Sequence, residues 1–191
     1  LNEGHTAFVV LERFREELHA AVPRDEAWEK VRQSCVFTTH TPVPAGHDRF
    51  PSDLVGEVLG AYRVQLGIDH EELMDLGRVR PGDATERLCM TVLALKHTRV
   101  ANGVAAKHGE GSRTMWHELY PNRPVEEVPI GSITNGVHAP SWVGSEVGAL
   151  VAAASPEDLE RCRTTGERMD VVDSIDDQAL WDAHGAAKSR L

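Results

Sequence analysis

What this chain of 191 residues lacks narrows it first. It has no cationic surplus: 20 Lys and Arg stand against 30 Asp and Glu, for a formal net charge of -10. General binders of nucleic acid or of an anionic membrane need the opposite balance, so neither partner is expected. Cysteine is scarce. Cys35, Cys89 and Cys162 have no CxxC spacing, so they read as reduced thiols of a cytoplasmic protein rather than as a disulfide framework. No apolar run approaches the roughly 18 residues of a membrane span, and no signal-peptide pattern is present. The sequence contains no GxxxxGK[ST], GxGxxG or GxSxG, which weakens three nucleotide-binding and hydrolytic classes. It contains no HExxH either. His40 with His47, or His108 with Glu110, could supply nitrogen and oxygen ligands, but the spacing is unpersuasive and no metal is expected. There is no internal repeat and no low-complexity tract. The chain starts at Leu1 rather than at methionine, so a fragment is expected.

What is present is organised around Val36 to Asp48. Ser34 to Thr39 is β-branched and aromatic, as in a short buried strand, and Pro42 and Pro44 forbid further ladder pairing. The chain must therefore turn out where His40, Thr41 and His47 appear. In open α/β sheets, ligands bind beyond the carboxyl ends of the strands, so this polar tip is expected to floor a pocket. Upstream, Ala7, Phe8, Leu11, Phe14 and Leu18 recur at helical spacing, placing Glu3 and His5 at a helix N-terminus suited to oxygen ligands. The plainer account has Asn2 or Thr6 capping that helix, with Glu3 complementing its dipole.

Further helices are expected over 24–33, with Asp25 as cap and Trp28 and Val31 buried, and after Pro51, with a stripe of Leu54, Val58, Leu59 and Tyr62. Residues 67–87 read as a short helix followed by a surface loop. Leu88 to Lys107 reads as one helix, with Met90, Leu93, Val100 and Val104 on its core face and His108-Gly109-Glu110 at its end. Asn102-Gly103 within it fits close packing at the glycine, or an amide presented to a ligand with room beside it. Spacing alone favours packing. Ser112 to Leu119 resumes a helical pattern. Beyond Pro121 the texture becomes proline-rich and extended, the best candidate for a domain boundary. Thr134 to Trp142 reads as strand, turn and aromatic anchor. Helices are expected to start at Ser155-Pro156 and to run from Asp176 to Leu191.

Four blocks then resemble, in order and spacing, the glycogen/starch phosphorylase family, chiefly its short bacterial and archaeal α-glucan phosphorylases. They are Leu1-Asn2-Glu3-Gly4-His5, Thr38-Thr39-His40-Thr41-Pro42, Val100-Ala101-Asn102-Gly103-Val104 with His108-Gly109-Glu110, and Thr134-Asn135-Gly136-Val137-His138 with Pro140 and Trp142. The resemblance implies an α/β fold, a fragment of two Rossmann-like domains facing across a cleft. Residues 1–115 would be the end of the N-terminal glucan-binding domain, and 116–191 the crossover and start of the C-terminal domain.

It implies phosphorolysis of the terminal glucose of an α-1,4-glucan by orthophosphate, giving glucose 1-phosphate with retained configuration. Pyridoxal phosphate is the implied cofactor, and its Schiff-base lysine would lie beyond Leu191, leaving the fragment inactive alone. His40 is the implied catalytic residue: it would hydrogen-bond the glucosyl hydroxymethyl group and stabilise positive charge at the anomeric carbon through its carbonyl. Thr41 would line the same pocket, Asn102 would bind a glucose hydroxyl, and Glu3 and His5 would sit on the sugar's β-face. The glucan and orthophosphate are the implied partners, with a homo-oligomer left open. Cys89 and Gly111 depart from the family pattern away from the presumed pocket, and an aspartate is common in the animal branch where Glu3 stands. Two other classes remain: a non-catalytic glucan-binding module, and a nucleotide-sugar-dependent synthase of similar architecture.

Overall fold

The computed structural model describes residues 1–165 and 170–190, which form two compact units, 1–135 and 136–191. Leu191, the last residue of the expected C-terminal helix, lies outside the described residues.

Unit 1 is mixed α/β, built on a parallel sheet. Its strands are β1 (Val36–Thr39), β4 (Val100–Gly103) and β5 (Ile130–Ser132), in the order β1-β4-β5. Both pairs are parallel, with Thr38 opposite Asn102 and Asn102 opposite Gly131. The N-terminal segment adds a further rung, because Asn2 bridges Thr38 in the parallel sense. Two short strands, β2 (Arg49–Phe50) and β3 (Leu88–Cys89), pair antiparallel beside it.

Helix α1 (Phe8–His19) follows the expected stripe, burying Val10, Leu11 and Phe14. Helix α2 (Arg24–Ser34) buries Ala27 and Val31, and its Trp28 stacks on Phe14 with ring centroids 3.8 Å apart. Asp25 is not its cap: the helix starts at Arg24, as expected, with Pro23 in the cap position, so Asp25 lies in the first turn. Helix α3 (Ser52–Gln65) is rotated from the expected stripe. Val55 is buried and Leu59 and Tyr62 pack against the core, whereas Leu54 and Val58 face outward. The observed stripe keeps Leu59 and Tyr62 and takes Val55 and Leu66 in place of Leu54 and Val58. Helix α4 (His70–Leu76) begins with a capping box between Asp69 and Glu72.

The single helix expected over 88–107 is instead β3, α5 (Met90–Lys96) and β4, so Asn102 lies on a strand. Every residue from Met90 to Leu95 is buried, so the apolar run had no polar face whose end could mark the helix end. Thr98 Oγ1 donates to the Ala94 carbonyl and closes the turn, and the chain then extends to pair with strands on both sides. His108-Gly109-Glu110 lies inside α6 (Ala106–Met115), not at a helix end. Here two glycines set the packing distance. A Cβ on Gly103 would come within 2.9 Å of the Gly109 nitrogen, and one on Gly109 within 2.9 Å of the Gly131 carbonyl, so α6 rests directly on β4 and β5.

The core of unit 1 lies between the sheet and these helices, with Phe14, Phe37, Leu73, Met74, Leu88, Leu93 and Ile130 all buried. The proline-rich passage carries β5, the third strand of the sheet, so unit 1 runs on to residue 135. Past β5 the extended pairing continues, the Ile133 and Asn135 amides donating to the carbonyls of Gly103 and Val104.

Unit 2 is helical: α7 (Ala139–Trp142), α8 (Ser145–Ala154), α9 (Pro156–Thr165) and α10 (Asp177–Lys188). Val151 of α8 and Ala183 of α10 are buried, α8 packs against α9 and α10, and Arg190 pairs with Glu146. Asp176 Oδ1 caps α10 through the Ala179 amide at 3.0 Å. Trp142, expected as an anchor after a strand, sits on the short helix α7 and is 80% exposed. No helix among the described residues is long and apolar enough to cross a membrane.

Candidate functional site

The carboxyl ends of β1 and β4 carry most of the polar residues singled out by the sequence, and the N-terminal segment is tied onto them. The Leu1 nitrogen donates to the Val36 carbonyl, the Thr38 amide to the Leu1 carbonyl at 2.9 Å, and the Glu3 amide to the Thr38 carbonyl at 2.8 Å. The first residues therefore run as an extra strand beside β1 and deliver Glu3 to its tip.

Glu3 is the hub. One carboxylate oxygen accepts from the His40 amide at 2.7 Å and from the Thr41 hydroxyl at 2.9 Å. The other accepts from the Gly4 amide at 3.0 Å and from the Thr39 hydroxyl at 3.4 Å. Burial works to raise the pKa of this carboxyl, but the bonds from His40, Thr41 and Gly4 outweigh it and hold the group below the usual carboxylate range. Glu3 is therefore ionised at neutral pH. Its backbone has φ +67°, a left-handed conformation that side chains rarely adopt, and such strain persists only where the surroundings over-determine it. Glu3 itself, rather than Asn2 or Thr6, supplies the cap of the following turn, Gly4–Thr6. His5 stands exposed in that turn.

His40 is exposed just past β1, and its Nε2 meets Asn2 Oδ1 at 2.7 Å. Side chains two apart on a strand share a face, so Thr38 and His40 lie on the same side of the sheet. Asn102 and Asn2 flank Thr38 on the neighbouring rungs, and the Thr38 hydroxyl donates to Asn102 Oδ1 at 3.1 Å. This face is open among the described residues: Val36 and Val100, one step back on it, are 46% and 49% exposed. Asn102 thus stands on an uncovered face while Gly103 gives the close contact with α6 on the other side. The close packing expected at Gly103 is present, and Asn102 lies on the opposite face of the same strand.

Two histidines hold the tip from beneath. His108 Nδ1 accepts from the Val104 amide at 3.2 Å, so its proton is on Nε2, which donates to the Thr41 carbonyl at 3.2 Å. Both ring nitrogens are committed to backbone, which leaves neither for a metal. His47 is buried, its Nδ1 is 2.8 Å from the Thr91 hydroxyl, and its ring meets Trp116 edge-on at 4.9 Å. Burial pushes its pKa down, although the Glu3 charge pulls the other way. No group of three potential metal ligands forms among the described residues.

The structure therefore brings Glu3, Thr41 and the His40 backbone into one bonded cluster and sets the His40 ring and Asn102 on one adjoining face. Sequence reasoning missed Asn2 as a partner of His40, and it did not identify Val104 and Thr41 as the backbone partners of His108. A period-two reading of 1–3 against 36–40 would have placed Asn2 beside Thr38, had the parallel pairing been known. The tip is a polar surface. Elsewhere in unit 1 an apolar groove of about 130 Å³ is lined by Phe8, Phe50, Leu54, Val55, Val58 and Leu59.

No protein-family model matches the chain. Curated proteins do. The chain is similar to a glycogen phosphorylase of Mycobacterium tuberculosis, 39% identical over all of this chain and 22% of that protein. It is similar to a maltodextrin phosphorylase of Thermococcus litoralis, 35% identical over 98% of this chain and 22% of that protein. A glycogen phosphorylase of Aquifex aeolicus is 30% identical over the whole chain and 27% of its own length. The chain thus spans about a quarter of the length of the curated relatives it matches.

Proposed function

Along its whole length this chain is related to one stretch of the glycogen and maltodextrin phosphorylases, and from that premise we propose that it forms part of an α-glucan phosphorylase. The full-length protein then transfers the terminal glucose of an α-1,4-glucan to orthophosphate and releases glucose 1-phosphate. Residues 1–115 belong to the glucan-binding domain, and 116–191 lead into the domain that completes the cleft. The observation that supports this reading is the bonded cluster at the carboxyl end of a parallel sheet, built from Glu3, His40 and Thr41 with Asn102 alongside.

Each group has work to do on a sugar. A terminal glucose presents hydroxyls in several directions, and convergent donors and acceptors orient it at low cost because they are held before it arrives. The His40 ring takes the hydroxymethyl hydroxyl, and the His40 carbonyl faces positive charge developing at the anomeric carbon. Interactions that strengthen as that charge develops lower the barrier rather than merely tightening binding. Thr41 lines the pocket and Asn102 takes a ring hydroxyl. Glu3 and His5 lie on the β-face, where the Glu3 carboxylate also fixes the backbone around His40.

Pyridoxal phosphate supplies its phosphate group to proton transfer when bound in enzymes of this kind. The residues here do not fit its attachment, which needs a lysine amine. Among the described residues no lysine joins the cluster: Lys96 donates to the carbonyls of Asp75 and Arg78, and Lys30 pairs with Glu17 and Glu26. No step at this site is assigned to the cofactor.

The test is to incubate the full-length protein with maltodextrin and orthophosphate and measure glucose 1-phosphate. Its release supports the proposal; glucan extension from a nucleotide sugar without it would identify a synthase, and binding without either product a glucan-binding module.

A further inference from the structure

The contact between Asn2 and His40 determines more than position. An amide oxygen has lone pairs and no proton, so Asn2 Oδ1 at 2.7 Å from His40 Nε2 places the hydrogen on Nε2. The lone pair of the neutral ring then lies at Nδ1, which makes no hydrogen bond among the described residues, on a side chain exposed to solvent. Asn2 is itself held firmly. The Glu3 amide and the Thr38 carbonyl, with the Thr38 amide and the Leu1 carbonyl, lock its backbone beside β1. Its rung faces Thr38, so its side chain is carried on the face where His40 follows two residues later. The nearby titratable groups act elsewhere: Glu3 accepts from the His40 backbone amide, and His108 Nε2 donates to the Thr41 carbonyl.

We infer that Asn2 is the positioning residue of His40: it sets the Nε2–H tautomer and the direction of the ring, so that Nδ1 stands ready to accept a hydroxyl proton from the terminal sugar. The inference rests on the reading of His40 as a sugar-contacting group. A freely rotating imidazole would spend part of its time as the other tautomer, with a donor where the acceptor belongs. A charged one would have no acceptor at all.

Two variants of the full-length protein separate positioning from a merely structural role. Asn2→Ala removes the acceptor and should lower kcat/KM about tenfold, the effect of one neutral hydrogen bond, with the pH profile unmoved. Asn2→Asp keeps the acceptor but adds a carboxylate that favours the imidazolium. Its activity should recover toward wild type at high pH, while the acid limb of kcat/KM moves up by about one pH unit. Nitrogen-15 spectra of labelled histidine should show the Nε2–H tautomer for His40 in the wild type and its loss in Asn2→Ala. A wild-type His40 protonated on Nδ1, an Asn2→Ala enzyme with wild-type kinetics, or an Asn2→Asp profile superimposable on wild type would overturn the assignment. If the full-length protein releases no glucose 1-phosphate, the proposed activity fails, and the tautomer measurement still decides the role of Asn2.

Discussion

Replacing Glu3 by alanine strips one acceptor from four donors at once, and the structure sets the size of the loss. The two shortest bonds, from the His40 amide at 2.7 Å and the Thr41 hydroxyl at 2.9 Å, go to an ionised oxygen. Bonds to charged groups contribute about 1.5–3 kcal/mol each when buried, and this carboxylate is only half-buried, so about 2–3 kcal/mol for the pair is the appropriate scale. Alanine at position 3 keeps the strain of φ +67°, whereas glycine relieves it. Glu3→Gly should therefore be more stable than Glu3→Ala by about 1 kcal/mol, the penalty of a side chain in the left-handed region.

For a chain of this size 1 kcal/mol shifts the melting temperature by about 2–4 °C, so Glu3→Ala should melt about 5–10 °C below wild type at pH 7. The gap should also depend on pH. The Glu3 carboxyl is held below its ordinary value, so its contribution is full above the unfolded-state carboxylate range and is lost as pH falls through the folded value. Thermal unfolding followed by circular dichroism from pH 7 downward reads both effects. An alanine variant that melts with wild type at pH 7, or a gap that stays constant on acidification, would refute the reasoning.

Gly103→Ala should destabilise the protein by about 1–3 kcal/mol, because its Cβ meets the backbone of α6, and urea denaturation measures it. His97 is buried, and burial outweighs its bond to the Leu93 carbonyl, pushing its pKa down to about 4. The folded protein thus binds fewer protons than the unfolded chain between that value and the ordinary histidine range. Stability should fall across this window on acidification by up to about 3 kcal/mol, and His97→Gln should flatten the slope of melting temperature against pH. On the proposed function, His40→Ala and Asn102→Ala in the full-length protein should each lower turnover of maltodextrin by at least about tenfold with melting temperatures close to wild type. Wild-type rates in both would remove them from the site.

The α/β class followed from the family resemblance, whereas the residues themselves were enough for the strand ending at Thr39, the amphipathic face of α1 and the cluster of polar residues after the strand. These are local properties, carried by side-chain period and by prolines that stop a ladder. The sequence could not reveal that 88–107 breaks into helix and strand, because α5 is buried all round and β4 is stabilised by two neighbours distant in sequence. Nor could it show that Leu1 to Glu3 pair with β1, since pairing energy belongs to both strands and only one is visible in any window of sequence. That pairing brings the Glu3 carboxylate onto the amide of His40 and Asn2 onto its ring. Residue types came from the sequence; which atoms meet was decided by a parallel register that only the folded chain possesses.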